Sequence, residues 1–237
     1  MVSGDFTQRN VFQNQKQHRA KPAACRQITA YIQTVKILIT SGATREYLDP
    51  VRYLTNGSSG KMGRALAVAA LDAGHEVVVV SGQVAIEYPR GVKVIGVIST
   101  QQMFDATTEL FPDSDAIIGA AAPCDFRPKD VSSKKLSKTD FSGTLELVET
   151  SDILAAMGKL KRGNQKIIAF ALETDDSKKR AIAKLEKKNA DYIVLNGPDA
   201  LESDVTRIEI IAKNGEICKS FSGSKSEAAK IIVSILC

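Results

Sequence analysis

Residues 37–74 read ILITSGATREYLDPVRYLTNGSSGKMGRALAVAALDAG, and the reading of this stretch decides the fold. Val35 to Thr40 is a short apolar run suited to a buried strand. Lys61 to Ala73 keeps Leu66, Ala69, Ala70 and Ala73 on one helical face, and Gly74 ends it. The strand and helix are joined by a loop of about twenty residues, where connections in α/β units usually have about 2–6. Such a loop points to function. It holds Thr44-Arg45-Glu46, Asp49, Arg52 and Asn56, then Ser58, Ser59, Gly60, Lys61 and Gly63 at the helix start. Small residues, hydroxyls and the N–H groups of a helix start suit an anion such as phosphate.

Two better-known phosphate motifs are not matched, which counts against an ordinary ATPase and an ordinary NAD enzyme. Gly60-Lys61 is followed by Met62, which leaves no hydroxyl for the magnesium of a P-loop. A dinucleotide fingerprint needs a tight glycine turn and an acidic residue after the next strand. Here that strand, Glu76 to Val80, runs into Ser81-Gly82-Gln83.

Outward from this stretch, Val77 to Val80 are four consecutive valines, the pattern of a strand covered on both faces. Val92–Ile98, Asp115–Ala120, Lys166–Leu172 and Asp191–Leu195 read as further strands. Ser99 with Gln102 caps a helix to Leu110, Ser151 caps one from Asp152 to Leu160, and a charged helix ends at Asn189. The strand–helix alternation predicts an α/β fold with a doubly wound, mostly parallel sheet. Asn214-Gly215 between Arg207–Ala212 and Glu216–Phe221 predicts a C-terminal β-hairpin, followed by a helix capped by Ser224 and Glu227. Thr144–Glu149 alternates as a half-buried strand. Between the fourth strand and this one, Ala121 to Pro128 leaves the carboxyl end of the sheet, where ligands of open α/β sheets bind. A polar segment with Lys129, Lys134, Lys135 and Lys138 follows. By composition it is a solvated loop; in a sharper reading it is a flap that brings ammonium groups over a polyanion.

The 237 residues, 43% hydrophobic, suffice for one full core. Five cations against Asp5 alone place most of the formal +5 charge in residues 1–34. The remainder is close to neutral, which gives no electrostatic case for nucleic acid. Residues 1–34 are rich in Gln and Asn and read as a disordered extension or an over-called translation start, with residues 35–237 as a single domain. Cys25, Cys124, Cys218 and Cys237 form no paired motif, so a reducing cytoplasmic compartment and no zinc site are expected. No apolar run approaches the ~18 residues of a membrane span. His75 reads as structural, and Cys124 as pocket lining without a histidine to activate it.

From Val35 onward these pieces, in this order, resemble the phosphopantothenoylcysteine synthetase family in its stand-alone bacterial form. The resemblance lies in Gly42-Ala43-Thr44-Arg45-Glu46, Asp49-Pro50-Val51-Arg52 and Asn56 to Gly63. It continues in Ala120-Ala121-Ala122 with Asp125 and Arg127-Pro128, in Phe170 to Thr174, and in Ser203-Asp204 ahead of Arg207. It implies a Rossmann-like homodimer that joins 4′-phosphopantothenate to L-cysteine, using CTP and magnesium through an acyl-cytidylate. It further implies that Asn56 holds the acyl-nucleotide, that Arg52 acts from the same loop, and that Lys135 forms the intermediate. Gly119, Ala120, Ala121, Asp125, Lys138, Asp152, Ile153, Leu154, Ala155, Phe170, Lys184 and Lys188 would contact nucleotide. Magnesium would be held mainly by the phosphates. A flavin-dependent decarboxylase domain, common upstream in this family, is expected on a separate chain. Departures from the family pattern are Pro123-Cys124, Ser137 in the lysine cluster, Glu149-Thr150-Ser151 and Asn196-Gly197-Pro198. They bear on nucleotide choice. The alternatives are an NAD(P)-dependent reductase and a non-catalytic binder of nucleotides or pantetheine metabolites. Without the resemblance, Lys135, Lys184 and Lys188 read as surface charges; Asn56 has a turn before Gly57 as its plain reading, yet it and Arg52 still point to function because they occupy an overlong loop at a strand's carboxyl end.

Overall fold

The central strand β1, Lys36–Ser41, has Ile37, Leu38 and Ile39 without solvent exposure. In the computed structural model, which describes residues 34–139, 143–172, 177–197 and 204–236, β1 pairs in parallel on both edges. One neighbour is β4 (Glu76–Ser81), the other β6 (Ala116–Gly119). Beyond β4 lies β5 (Lys93–Gly96); beyond β6 lie β9 (Lys166–Leu172) and β10 (Tyr192–Asn196), all parallel. The antiparallel hairpin of β11 (Val205–Ala212) and β12 (Ile217–Ser224) completes the order β12-β11-β10-β9-β6-β1-β4-β5. This is the doubly wound, mostly parallel sheet with a C-terminal hairpin that the sequence predicts. The winding reverses between β1 and β6, so the crevice outside their carboxyl ends is the expected place for a ligand.

Side chains alternate between two helical layers. Leu38, Val78, Val80, Ile117 and Ile167 share a core with residues of α2 (Thr100–Leu110), α3 (Ile153–Leu160) and α4 (Ser177–Lys187). Ile37, Ile39, Val77, Val79, Ile118 and Ile168 share the other core with α1 (Lys61–Asp72) and α5 (Lys225–Val233), which pack against each other. Each fully buried aliphatic contributes about 1.5–3 kcal/mol, which is why the strands read as unbroken apolar runs. The capping boxes at Ser99 and Ser224 form as expected. At α3 the cap is Asp152, not Ser151: Asp152 has the extended backbone, and its carboxylate accepts from Ala155 N.

Two segments expected as loop or isolated strand are paired ribbons. Within the long loop after β1, β2 (Arg45–Tyr47) and β3 (Tyr53–Thr55) pair antiparallel. After β6, β7 (Phe126–Pro128) pairs antiparallel with β8 (Leu147–Glu149), in a small sheet separate from the main one. The strand expected over 144–149 is therefore confined to β8, and the lysine-rich segment is an excursion from this second ribbon. Residues 1–33, with the expected N-terminal extension, lie outside the described residues, as do 173–176, 198–203 and Cys237.

Candidate functional site

The site is built where the chain leaves β1 and β6. The two departing segments stay joined beyond the strands, with Ala122 N donating to Gly42 O at 2.9 Å and a parallel bridge at Ala43 and Ala122. Asn56, exposed at the end of the first ribbon, donates Nδ2 to Ala122 O (3.2 Å) and Pro123 O (3.0 Å). Its amide therefore lies on the segment that leaves β6. Both amide hydrogens face protein carbonyls, so donation to a ligand requires exchange of one of them.

Arg52 is tied down by the ribbon turn. Asp49, without solvent exposure, accepts from Val51 N and Arg52 N (2.8 Å each), Arg52 Nε (2.9 Å) and Leu136 N (3.2 Å). Burial alone would raise its carboxyl. The N–H groups of Val51, Arg52 and Leu136, with the Arg52 charge, instead bring it down to about 2. Arg52 Nη2 also donates to Leu136 O, and Ser132 N donates to Leu48 O at 2.9 Å. The lysine-rich segment is thus docked on the first ribbon through Leu136, which leaves Lys135 and Lys138 exposed on either side of the anchor. The anchor's sequence signal is slight: one leucine in Lys134-Lys135-Leu136-Ser137-Lys138.

The start of α3 stands over the end of β6. A Cβ on Gly119 would lie 2.4 Å from Leu154 Cδ1, so this position admits no side chain without displacing α3. Asp152 receives Lys188 Nζ at 2.5 Å and has Lys187 Nζ at 3.6 Å. Burial pushes the Asp152 carboxyl up, but Lys188, Ala155 N and Lys187 outweigh it and hold it below the ordinary range. The surface reading of Lys184 and Lys188 fails for Lys188. It lies past the end of α4, its side chain is 18% exposed, and its partner is on another helix. Phe170 points into the other core, with Ala120 and the α1–α5 layer. The expected nucleotide contacts therefore straddle the carboxyl edge of the sheet, with Asp152–Ala155 and Lys188 on one side and Phe170 on the other.

Several residues of the conspicuous loop are structural. Thr44 Oγ1 bonds Thr100 Oγ1 at 2.8 Å and accepts from Cys124 N at 2.9 Å, while Glu46 Oε1 accepts from Thr100 N at 2.7 Å. Cys124 is buried beneath the site rather than lining it, with its thiol toward the carbonyls of Thr44 and Leu54. Burial, partly opposed by the bond to Thr44, pushes that thiol up, away from nucleophile chemistry. Asp125 is exposed at the root of the second ribbon.

On the α1 side, Gly60 caps the helix in the left-handed region (φ 77°) without a side-chain capping bond. A Cβ on Gly63 would lie 2.0 Å from Ser41 Oγ, so the helix start sits directly on the end of β1. Ser59 Oγ is 3.5 Å from Lys61 N, and Lys61 Nζ pairs with Asp204 at 2.8 Å. A cavity of about 630 Å³ opens there between the starts of α1 and α5. Among the described residues, no group of three or more His, Cys, Asp or Glu could hold a metal ion, and no helix is long and apolar enough to cross a membrane.

Residues 32–237 match the family model of the DNA/pantothenate metabolism flavoprotein C-terminal domain. The chain belongs to this family. It is 44% identical over 167 residues to the coenzyme A biosynthesis bifunctional protein CoaBC of Vibrio vulnificus strain YJ016, covering 70% of this chain and 42% of that protein. It is 42% identical over 203 residues to a cysteine/cysteine sulfinic acid decarboxylase of an unknown prokaryotic organism, covering 84% and 56%. The crystal structure of the C-terminal domain of a CoaBC protein superposes with a TM-score of 0.73 at 38% identity, covering 85% of this chain and 93% of that one. The chain spans about half the length of the curated relatives it matches.

Proposed function

We propose that this domain is a phosphopantothenate–cysteine ligase of coenzyme A biosynthesis. The observation that carries the reading is the meeting, at the β1–β6 switch point, of Asn56, the end of β6 and the start of α3, beside a lysine segment docked through Arg52 and Asp49. Family membership and the biosynthetic role named for the CoaBC relatives support it.

In this mechanism CTP lies across the carboxyl edge, its phosphates toward the start of α3, Lys184 and Lys188. Lys135 and Lys138 close over them from the docked segment. The 4′-phosphopantothenate carboxylate attacks the α-phosphate and pyrophosphate leaves. The lysines offset the charge that accumulates in that step. Magnesium, when bound with the triphosphate, supplies further charge neutralisation; the carboxylate nearest the proposed phosphates, Asp152, is already engaged by Lys188. L-Cysteine then attacks the acyl carbon through its amine and displaces CMP. Asn56 moves one amide hydrogen from Ala122 or Pro123 to the acyl oxygen, a contact without net charge. Arg52 acts as a positioning residue through its bonds to Asp49 and Leu136.

We place a second copy of the chain on the two ribbons, where Val51, Tyr53, Phe126, Val131 and Leu147 are exposed apolar side chains. The decarboxylase named for one relative is assigned to sequence outside this domain. Pyrophosphate release with 4′-phosphopantothenate, L-cysteine and magnesium, comparing CTP with ATP, tests the reading. Release with CTP that requires phosphopantothenate is expected; release with ATP alone would keep the reaction and change the nucleotide. Saturable binding of both substrates without release would make the domain a binder.

A further inference from the structure

Beneath the site, Cys124 is held through its backbone by two buried threonines, Thr44 and Thr100. Its N–H donates to Thr44 Oγ1 at 2.9 Å, and its carbonyl accepts from Thr100 Oγ1 at 3.2 Å. The two hydroxyl oxygens lie 2.8 Å apart. A hydroxyl carries one hydrogen, so these bonds have a single consistent direction. Cys124 N donates to Thr44, Thr44 to Thr100, and Thr100 back to Cys124 O. Three hydrogen bonds thus close a ring through one residue. Thr100 is itself fixed, since its N–H donates to Glu46 Oε1 at 2.7 Å and its branched side chain is stiff about χ1. Thr150, just past β8, donates Oγ1 to the same Cys124 carbonyl at 2.6 Å.

The peptide unit that carries Cys124 N–H also carries Pro123 O. This peptide is trans, so its N–H and C=O point to opposite sides. Pro123 O accepts from Asn56 Nδ2 at 3.0 Å. One rigid plane therefore has Thr44 on one edge and Asn56 on the other. The proline ring fixes φ at position 123, which leaves its ψ as the soft torsion that aims the plane.

We propose that Thr100, seconded by Thr150, is a positioning residue for Asn56: the hydroxyl ring aims the Pro123 carbonyl, and that carbonyl aims the Asn56 amide. The inference rests on the ligase reading, in which Asn56 serves the cysteine-capture half-reaction. Neither threonine stands in the long loop after β1. Thr100 acts from the first turn of α2, 44 residues beyond Asn56, and touches it only through the backbone of Pro123 and Cys124.

The test is Thr100→Val in the full chain, with acyl-nucleotide formation and cysteine capture separated by quenched flow. Valine keeps the shape and removes the hydroxyl, so the ring opens and Thr44 loses its acceptor. Capture should slow about 10-fold, the effect of one buried hydrogen bond left unmade, while acyl-nucleotide formation stays within about threefold. Thr100→Ser should recover capture. In an Asn56→Asp background, Thr100→Val should slow capture by less than about twofold more, because the group it positions is gone. Thr107→Val is the control: Thr107 is buried on the same helix and its hydroxyl has no hydrogen-bond partner, so both half-reactions should match wild type. Equal loss in both half-reactions, or full additivity with Asn56→Asp, overturns the assignment and leaves the ligase reading standing. Should Thr100→Val not fold, Thr150→Val carries the same comparison from the half-exposed side, and the same outcomes decide. An inactive wild type overturns the ligase reading. The Asn56 carboxamide then decides the positioning by NMR, its signals identified by their loss in Asn56→Asp. Shifts in Thr100→Val that Thr100→Ser reverses support it, and unmoved signals overturn it.

Discussion

Gly158→Ala separates a tertiary constraint from an intrinsic preference. Gly158 lies inside α3, where alanine is normally favoured by about 1 kcal/mol. A Cβ there would meet Lys188 O at 2.1 Å, Lys188 C at 2.8 Å and Asn189 Cβ at 3.1 Å. A relaxed carbon–oxygen contact needs about 3.3 Å, so α3 and the turn after α4 must separate by about 1 Å. The obstacle is backbone, so no rotamer change relieves it. Overpacking of this kind costs about 1–3 kcal/mol, and a rigid partner places it at the upper end. Offset by the helix preference, about 2 kcal/mol remains, a fall in Tm of about 4–8 °C for a domain of this size. The same displacement strains the bond from Asn189 Nδ2 to Gly158 O and moves Lys188 off Asp152, so CTP binding should weaken too. Thermal melts and CTP titration of the variant provide the assay. Gly96→Ala, where a Cβ meets nothing within 4 Å, is the control and should stay within about 0.5 kcal/mol of wild type. An unchanged or raised Tm in Gly158→Ala would refute the close approach of α3 and the Lys188 turn.

Asn56→Asp should leave acyl-nucleotide formation largely intact and slow cysteine capture by about 10²–10³-fold, read by quenched-flow separation of the half-reactions; equal loss in both would remove the proposed contact. Lys135→Gln should suppress acyl-nucleotide formation by at least about 10²-fold, and normal formation would take Lys135 out of the mechanism. Asp49, held at about 2 against an ordinary 3.8, stabilises the fold fully above pH 3.8 and loses that contribution as the pH falls through about 2. Asp49→Asn should therefore lower the urea midpoint near neutrality, with the gap to wild type closing between those two pH values. A gap independent of pH would mean that the carboxylate charge is not what holds Arg52 and Leu136.

What could be read in the sequence was whatever repeats locally. The buried strands announce themselves because both faces are covered, so Val77 to Val80 need no periodicity. Ser99 with Gln102, Ser224 with Glu227, and Asn214 before Gly215 (φ 81°) each satisfy their geometry within five residues. The two ribbons escaped because three-residue strands carry no period, and the docking of the lysine-rich segment on the first ribbon relies on bonds such as that from Leu136 N to Asp49, 87 residues away. Ser151 and Asp152 are both competent caps, and only the backbone angles choose between them. Lys188 looked like the upper member of a helical surface row; its partner, Asp152, is 36 residues distant and invisible to spacing. In the candidate site, Asn56 and Arg52 stood out by lying in an overlong connection.

The pairing of α1 with α5 also governs how the molecule can be made. Lys61 and Lys225 open two helices that flank one cavity, yet most of the domain is synthesised between them. A nascent chain can form β1 and α1 early, but the outer face of α1 stays wet until α5 has left the ribosome. Contacts of such long sequence separation slow folding and prolong exposure of apolar surface. Early intermediates are then expected to lean on chaperones, and a nonsense mutation just ahead of α5 should leave an insoluble product with every residue of the β1–β6 crevice still encoded.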